Sequence, residues 1–251
     1  MIAGSGEKSS RLDGKAAAVL FYKKKNGGER VSLAKLLEIR PGVTAIIGGG
    51  GKTTLLRTLG EELAQHGRVL LCTTTKMLPY GDLPFASSRQ ELERLRDRHP
   101  LLCAGTVLPE SGKITAPEVR MSELAGWFDY VLVEADGAAR RPLKAHAPHE
   151  PVIPPEANQT ICVVGASGFG CPIREAAHRP ERYAELAGVT QDAAVTAEIA
   201  GKVLMAEKLQ DRIYVNQVDL LKDGNDLRSL SRYVNNPVVA GSLWKGEYFV
   251  C

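Results

Sequence analysis

Gly48-Gly49-Gly50-Gly51-Lys52-Thr53-Thr54 is the stretch of this chain with the plainest chemistry. Without Cβ atoms, backbone N–H groups can turn inward around phosphate oxygens, and a helix starting at the end of the loop adds its positive dipole end. Lys52 would supply a mobile cation for β- and γ-phosphates, and Thr53 a hydroxyl for Mg²⁺. The pattern G-x-x-x-x-G-K-[ST] asks for a further glycine five residues before Gly51, and Ile46 stands there. The tight half of the loop, Gly48 to Thr54, is what this chain keeps. The competing reading is a glycine-rich turn with an incidental Lys-Thr after it.

Further groups lie at the ends of apolar runs. Glu134 and Asp136 follow Tyr130-Val131-Leu132-Val133 and alternate along an extended backbone, so both can point to one side. Carboxylates there suit Mg²⁺ coordination or water positioning, with Asp136 on the metal side and Glu134 as its partner or base. Otherwise both cap a strand end at the surface. Asn216-Gln217-Val218-Asp219 differs at one position from the N-K-x-D element that reads guanine, whose Asp accepts hydrogen bonds adenine cannot offer. Gln217 replaces the lysine whose stem packs on the base, so the element also reads as a polar turn. Thr73-Thr74-Thr75-Lys76 places hydroxyls and a cation at another strand end, with Thr75 and Lys76 in reach of phosphate or an acidic substrate, or with helix-cap character only. In the proline-stiffened loop Arg141–Pro155, Arg141 is a candidate phosphate clamp, and Lys144, His146 and Glu150 are candidate substrate or partner contacts. His146, His149 and Glu150 also suit Zn or Ni by donor type, although three-residue spacing outside a helix favours a solvated or protein-contact loop.

The elements that position these groups follow from periodicity and breakers. Ser32–Leu37 reads as a short amphipathic helix, then Val43–Ile47 as a strand, and the helix from Thr53 stops near His66-Gly67. Arg68–Cys72, Leu101–Ala104, Tyr130–Val133, Thr160–Gly165, Arg212–Val215 and a final Val238–Ala240 read as strands. Ser88–Arg98, Ala116–Gly126, Pro180–Ala187, Thr196–Leu209 and Asp226–Val234 read as helices. Apolar runs alternating with helices predict an α/β three-layer sandwich of P-loop NTPase type, with a mostly parallel central sheet. Ligands gather at the carboxyl ends of such strands, and each group above lies at one.

With 251 residues and 44% hydrophobic content, the chain can bury a sizeable core. Its organisation reads as a basic, flexible extension over residues 1–31 and one nucleotide-type domain over 32–251. Residues 1–30 carry seven Lys/Arg against three Asp/Glu, so of the net +3 a local +4 lies there and about −1 elsewhere. A basic tail can touch nucleic acid or acidic lipid, but without a basic, aromatic-studded body no nucleic-acid partner is expected. No run of eighteen apolar residues suggests a membrane span, and the start lacks a secretory pattern. Five widely spaced cysteines without a C-x-x-C pair point to reduced thiols and a cytoplasmic protein.

Taken together, these stretches resemble the YqeC family of selenium-dependent hydroxylase accessory proteins. The carrying residues are Gly48–Thr54, Cys72–Lys76, Val133–Ala138, Arg141–Lys144 with Glu150–Pro154, His178–Glu181 and Val215–Asp219, spread over roughly Ser32 to Ala240. The resemblance implies a P-loop nucleotide-binding protein tied to maturation of selenium-dependent molybdenum hydroxylases. Its motif positions here would be Lys52, Thr53, Glu134, Asp136, Lys144, Glu150, Asn216 and Asp219. Residues and resemblance together predict a Mg²⁺-dependent NTPase, GTP slightly favoured over ATP, with a molybdenum hydroxylase or its maturation machinery as client. A small-molecule kinase and a nucleotide-gated binding module without turnover are the alternatives.

Overall fold

The structure, a computed structural model, describes residues 32–221 and 229–251, together with the backbone of Phe21 and Tyr22. The strands are β1 (Phe21–Tyr22), β2 (Gly42–Gly48), β3 (Val69–Thr73), β4 (Phe85–Ala86), β5 (Leu101–Ala104), β6 (Thr106–Leu108), β7 (Lys113–Thr115), β8 (Tyr130–Glu134), β9 (Leu143–Lys144), β10 (Ala157–Gly165), β11 (Ala177–His178), β12 (Arg212–Asn216), β13 (Val238–Ser242) and β14 (Glu247–Val250). The α-helices are α1 (Leu33–Leu36), α2 (Lys52–Leu63), α3 (Arg89–Leu95), α4 (Met121–Trp127), α5 (Ile173–Ala176), α6 (Pro180–Ala187) and α7 (Ala197–Glu207).

One large sheet runs β1-β14-β13-β12-β10-β2-β8-β3-β5-β4. From β13 to β4 all neighbours are parallel, and β14 and β1 close one edge antiparallel. The central strands are near-continuous apolar runs because both faces are covered, as parallel sheets require. Alternation along β2 sorts its side chains between the layers. Ile46 joins α1 and α2 on one face, while Ala45 and Ile47 pack with α5–α7 on the other. On that second face α3 and α4 cover the half of the sheet around β3, β5 and β8. The architecture is the expected α/β sandwich with a mostly parallel central sheet.

Local signals explain the element starts. Ser32, Ser88 and Thr196 cap α1, α3 and α7 through side-chain oxygens that accept from N–H groups three residues on. Pro180 occupies the first turn of α6. Several expectations need correction. The helix expected from Ala116 begins at Met121, because Lys113–Thr115 pairs with β6 in a hairpin and Ala116 still accepts from Thr106. Val238–Ser242 is not the last strand, since β14 folds back on it. The Arg141–Pro155 loop contains β9, which pairs with β11. Of the helix expected at Asp226–Val234, residues 226–228 lie outside the described residues, and 229–230 are helical. The expected extension over 1–31 lies outside them too, except for β1.

Because the strands are parallel, their carboxyl ends share one edge. Register sets Ile46 and Thr73 on either side of Glu134, Gly48 beside Val163, and Gly165 beside Asn216.

Candidate functional site

Gly48 ends β2, the loop turns through Gly49–Gly51, and Lys52 opens α2. The backbone requires glycine at the centre of this turn. Gly50 has φ +85°, and a Cβ there would fall 2.3 Å from the Cα of Gly165; Gly51 has φ +122°, and its Cβ would fall 2.5 Å from Asn216 Nδ2. The first bond within α2 runs from the Leu55 N–H to the Gly51 carbonyl. The N–H groups of Lys52, Thr53 and Thr54 therefore have no acceptor within the helix and form the positive end of a three-turn dipole. Thr54 is exposed beside them, and Tyr80 Oη donates to the Thr53 carbonyl at 2.7 Å.

Beneath the loop lies a buried charge network. Asp136 has no exposed surface. Its Oδ2 accepts from the Gly48 N–H at 2.8 Å and lies 2.7 Å from His146 Nε2 and 3.4 Å from Lys144 Nζ. Its Oδ1 faces the Lys52 ammonium at 3.0 Å as an ion pair rather than a directed hydrogen bond. Lys52 Nζ also donates to the Gly48 carbonyl at 2.7 Å, so the lysine folds back along its own loop. On its far side His146 meets Glu207 at the end of α7, Nδ1 to Oε2 at 2.8 Å, and its backbone N–H reaches Oε1. Lys144 continues the chain to Glu150 at 3.2 Å, and Glu150 accepts from Arg179 Nε at 3.1 Å.

Protonation follows from these contacts. Burial opposes a charge on Asp136, but His146, Lys52 and Lys144 outweigh it and hold its carboxyl below the ordinary range. Burial likewise works against the His146 cation, yet bonds to Asp136 and Glu207 raise its pKa, favouring an imidazolium between two carboxylates. Glu150 resists its partial burial through Arg179 and Lys144 and titrates at about 2. Glu134 runs the other way: burial raises its pKa against the pull of Lys52 and a hydrogen bond from Thr53.

Glu134, also buried, ends β8 on the Thr53 side of the loop. Its Oε2 accepts from Thr53 Oγ1 at 2.7 Å, and its carbonyl accepts from Thr73 Oγ1 and the Thr74 N–H. Thr75 is half-buried next to this group, and its N–H bonds Thr73 Oγ1 at 3.0 Å; Lys76 is exposed. On the other flank, Asn216 Nδ2 donates to the Gly50 carbonyl at 2.8 Å, while its Oδ1 accepts from the Leu243 N–H at 3.2 Å. Gln217 adopts a left-handed conformation, φ 65°, and its Oε1 accepts from Ser167 Oγ. Asp219 is half-buried in the 3₁₀ turn Val218–Leu220.

The structure thus brings Gly48–Thr54, Glu134, Asp136, Lys144, His146 and Asn216 into one connected cluster. Lys144 and His146 are buried under the loop instead of lying on a contact surface, which ties them to its support. His146 and Glu150 bond to different partners, and His149 is exposed, so the three do not gather as metal ligands. The exposed Arg141 donates to the Glu175 carbonyl. Glu207, Arg179 and Tyr80 went unnoticed as site residues in the sequence. All three act on residues distant in sequence, 61, 29 and 27 positions away, so no local pattern indicates their partners.

Among the described residues, no group of three His, Cys, Asp or Glu side chains is placed to hold a metal ion, and no helix is long and apolar enough to cross a membrane. Among the described residues Cys72, Cys103, Cys162 and Cys171 form no disulfide. A glycine loop between the central strand of a parallel sheet and a helix beginning Lys-Thr defines a P-loop-type α/β protein. A family profile described as YqeC protein matches residues 44–181, and the chain belongs to the YqeC family. It is 36% identical over 163 residues to the uncharacterized protein YqeC of Escherichia coli (strain K12), an alignment covering 61% of this chain and 64% of that protein. FtsY from Mycoplasma mycoides aligns with 84% of this chain and 63% of its own length, at 14% identity and a TM-score of 0.43.

Proposed function

We propose that this protein binds a nucleoside triphosphate with Mg²⁺ on the loop Gly48–Thr54 and hydrolyses it, with GTP slightly preferred over ATP. The observation that carries this reading is the pairing at the loop: Lys52 held against Asp136 below, and Thr53 bonded to Glu134. The free N–H groups at the start of α2 suit phosphate oxygens. Hard oxygens on Thr53 and Glu134 fit Mg²⁺, which needs few protein ligands because it keeps waters and takes phosphate oxygens. Bound there, the ion would neutralise charge on the β- and γ-phosphates.

The geometry supports a division of roles different from the one expected from sequence. Asp136, fully buried, suits the work of fixing the glycine loop and its lysine, whereas Glu134 suits the metal side and the orientation of the attacking water. Water attack on the γ-phosphorus would break its bond to the bridging oxygen, releasing nucleoside diphosphate and phosphate. Lys52 would exchange the Gly48 carbonyl for a phosphate oxygen and stabilise charge in the transition state. Asp219 would accept from a guanine edge, and turnover is slow until a client completes the site. In line with the family resemblance, that client is a molybdenum hydroxylase or its maturation machinery.

Phosphate release from GTP and ATP by the purified protein with Mg²⁺, beside the Lys52→Ala variant, tests the assignment. Loss of turnover in the variant is expected; equal activity contradicts it. Tight binding with no turnover would favour the gated-module reading, which gains support from the inward bonds that hold Lys52 in this state.

A further inference from the structure

We propose that Trp244 is the stacking platform for the base of the bound nucleotide, an assignment that rests on the nucleotide reading above. The chain has two tryptophans, and they stand in opposite circumstances. Trp127 is half-buried, with the guanidinium carbons of Arg96 and Arg89 4.5 and 5.3 Å from its ring centre. Trp244 is 92% exposed. At that exposure the faces of its indole are open to a planar partner.

The turn holding it is fixed on both sides. It spans residues 243–246 between β13 and β14, where the Gly246 N–H bonds the Ser242 carbonyl at 2.8 Å and the Lys245 N–H bonds Ser242 Oγ at 3.2 Å. Asn216 then joins this turn to the glycine loop, giving one hydrogen bond to the Gly50 carbonyl and taking one from the Leu243 N–H. Leu243 itself comes within 3.9 Å of where a Cβ on Gly51 would stand. Trp244 is therefore one residue from the wall of the phosphate loop.

A triphosphate on that loop sends its sugar and base along the row of strand ends. Toward β8 and β3 the row holds Glu134 and Thr73, which suit metal and water. Toward β12 and β13 it holds the Asn216–Asp219 element and this turn. Gln217, where a lysine stem would otherwise lie on the base, is turned to Ser167. That leaves the base in need of an apolar face, and an indole supplies one. Stacking accepts any base, because every base has a π-face, so Trp244 would supply affinity while Asp219 supplies selectivity.

The test uses the full chain carrying Trp127→Phe, so that Trp244 is the sole indole. MgGTP and MgATP should quench its fluorescence, whereas inorganic tripolyphosphate, binding at the loop alone, should not. By calorimetry Trp244→Ala should weaken nucleotide binding by about fivefold to a hundredfold and leave tripolyphosphate affinity unchanged, which also shows the variant folded; Trp244→Phe should retain most of the affinity. Unchanged nucleotide affinity in Trp244→Ala overturns the platform and leaves the nucleotide site standing. Failure of the unsubstituted protein to bind either nucleotide or tripolyphosphate overturns the nucleotide reading and the platform together.

Discussion

Around the glycine loop the charged groups are paired, the inner ones buried (Asp136 with Lys52, His146 and Lys144) and the outer ones half-buried (Glu150 with Lys144 and Arg179). Two and three strands away, past Asn216, the turns after β12 and β13 carry Leu220 and Trp244, 62% and 92% exposed. The first region shapes itself before any ligand arrives, and its energy is tied to folding. The second presents surface to solvent and takes little part in the packing. Buried ion pairs contribute little net stability beside an apolar core, but losing one partner strands the rest without compensation. The phosphate end is accordingly brittle to mutation, and the other end tolerant.

The largest effect should come from Asp136→Ala, which leaves Lys52, Lys144 and His146 buried without their shared counter-ion. Urea unfolding should show a loss of about 3–5 kcal/mol, and Asp136→Asn less, since the amide still fills the space. A loss under about 1 kcal/mol would break the contrast at its stronger end.

Of smaller size is the pH response of Glu150. Its folded pKa, about 2, lies below the ordinary 4.5, so its contribution is present above that ordinary value and disappears as pH falls toward 2. His146 has the opposite sign: its pKa is raised, so it favours the folded state below the ordinary 6.5 and loses that contribution as pH rises through the folded value. Glu150→Gln should flatten the acid limb of stability between pH 4.5 and 2 by about 1 kcal/mol after solvent screening. An acid limb identical to that of the unsubstituted protein would remove Glu150 from the network.

The smallest change should follow Trp244→Ala without ligand, within about 0.5 kcal/mol by thermal unfolding, as for ordinary surface positions. A larger loss would show that the turn contributes to folding and so blur the contrast between the two regions.

Much of the fold was legible because its signals are local. β2, β3, β5, β8, β10 and β12 are apolar runs ended by polar or glycine residues, and α6 opens with proline after Arg179. The short strands β9, β11 and β14 were not legible, since two to four residues have no period and their pairing is tertiary. The candidate site divides the same way. Gly48–Thr54 and the acids after β8 announce themselves by type and spacing. The partnership of His146 with Glu207 crosses 61 residues, and nothing near either one indicates it. From sequence Asp136 reads as the metal-side acid and Glu134 as its partner or base. Packing sets Glu134 against Thr53 and Asp136 beneath the loop.

In the proposed function the loop Gly48–Thr54 holds a nucleoside triphosphate through Lys52. Isothermal titration of MgGTP and MgATP into the unsubstituted protein and into Lys52→Ala, with folding of the variant checked by circular dichroism, tests it most directly. Saturable one-to-one binding is expected, falling by about tenfold or more in the variant with loss of a charge-assisted contact of about 1.5–3 kcal/mol. Equal affinity in the two folded proteins, or no binding by either, would contradict it.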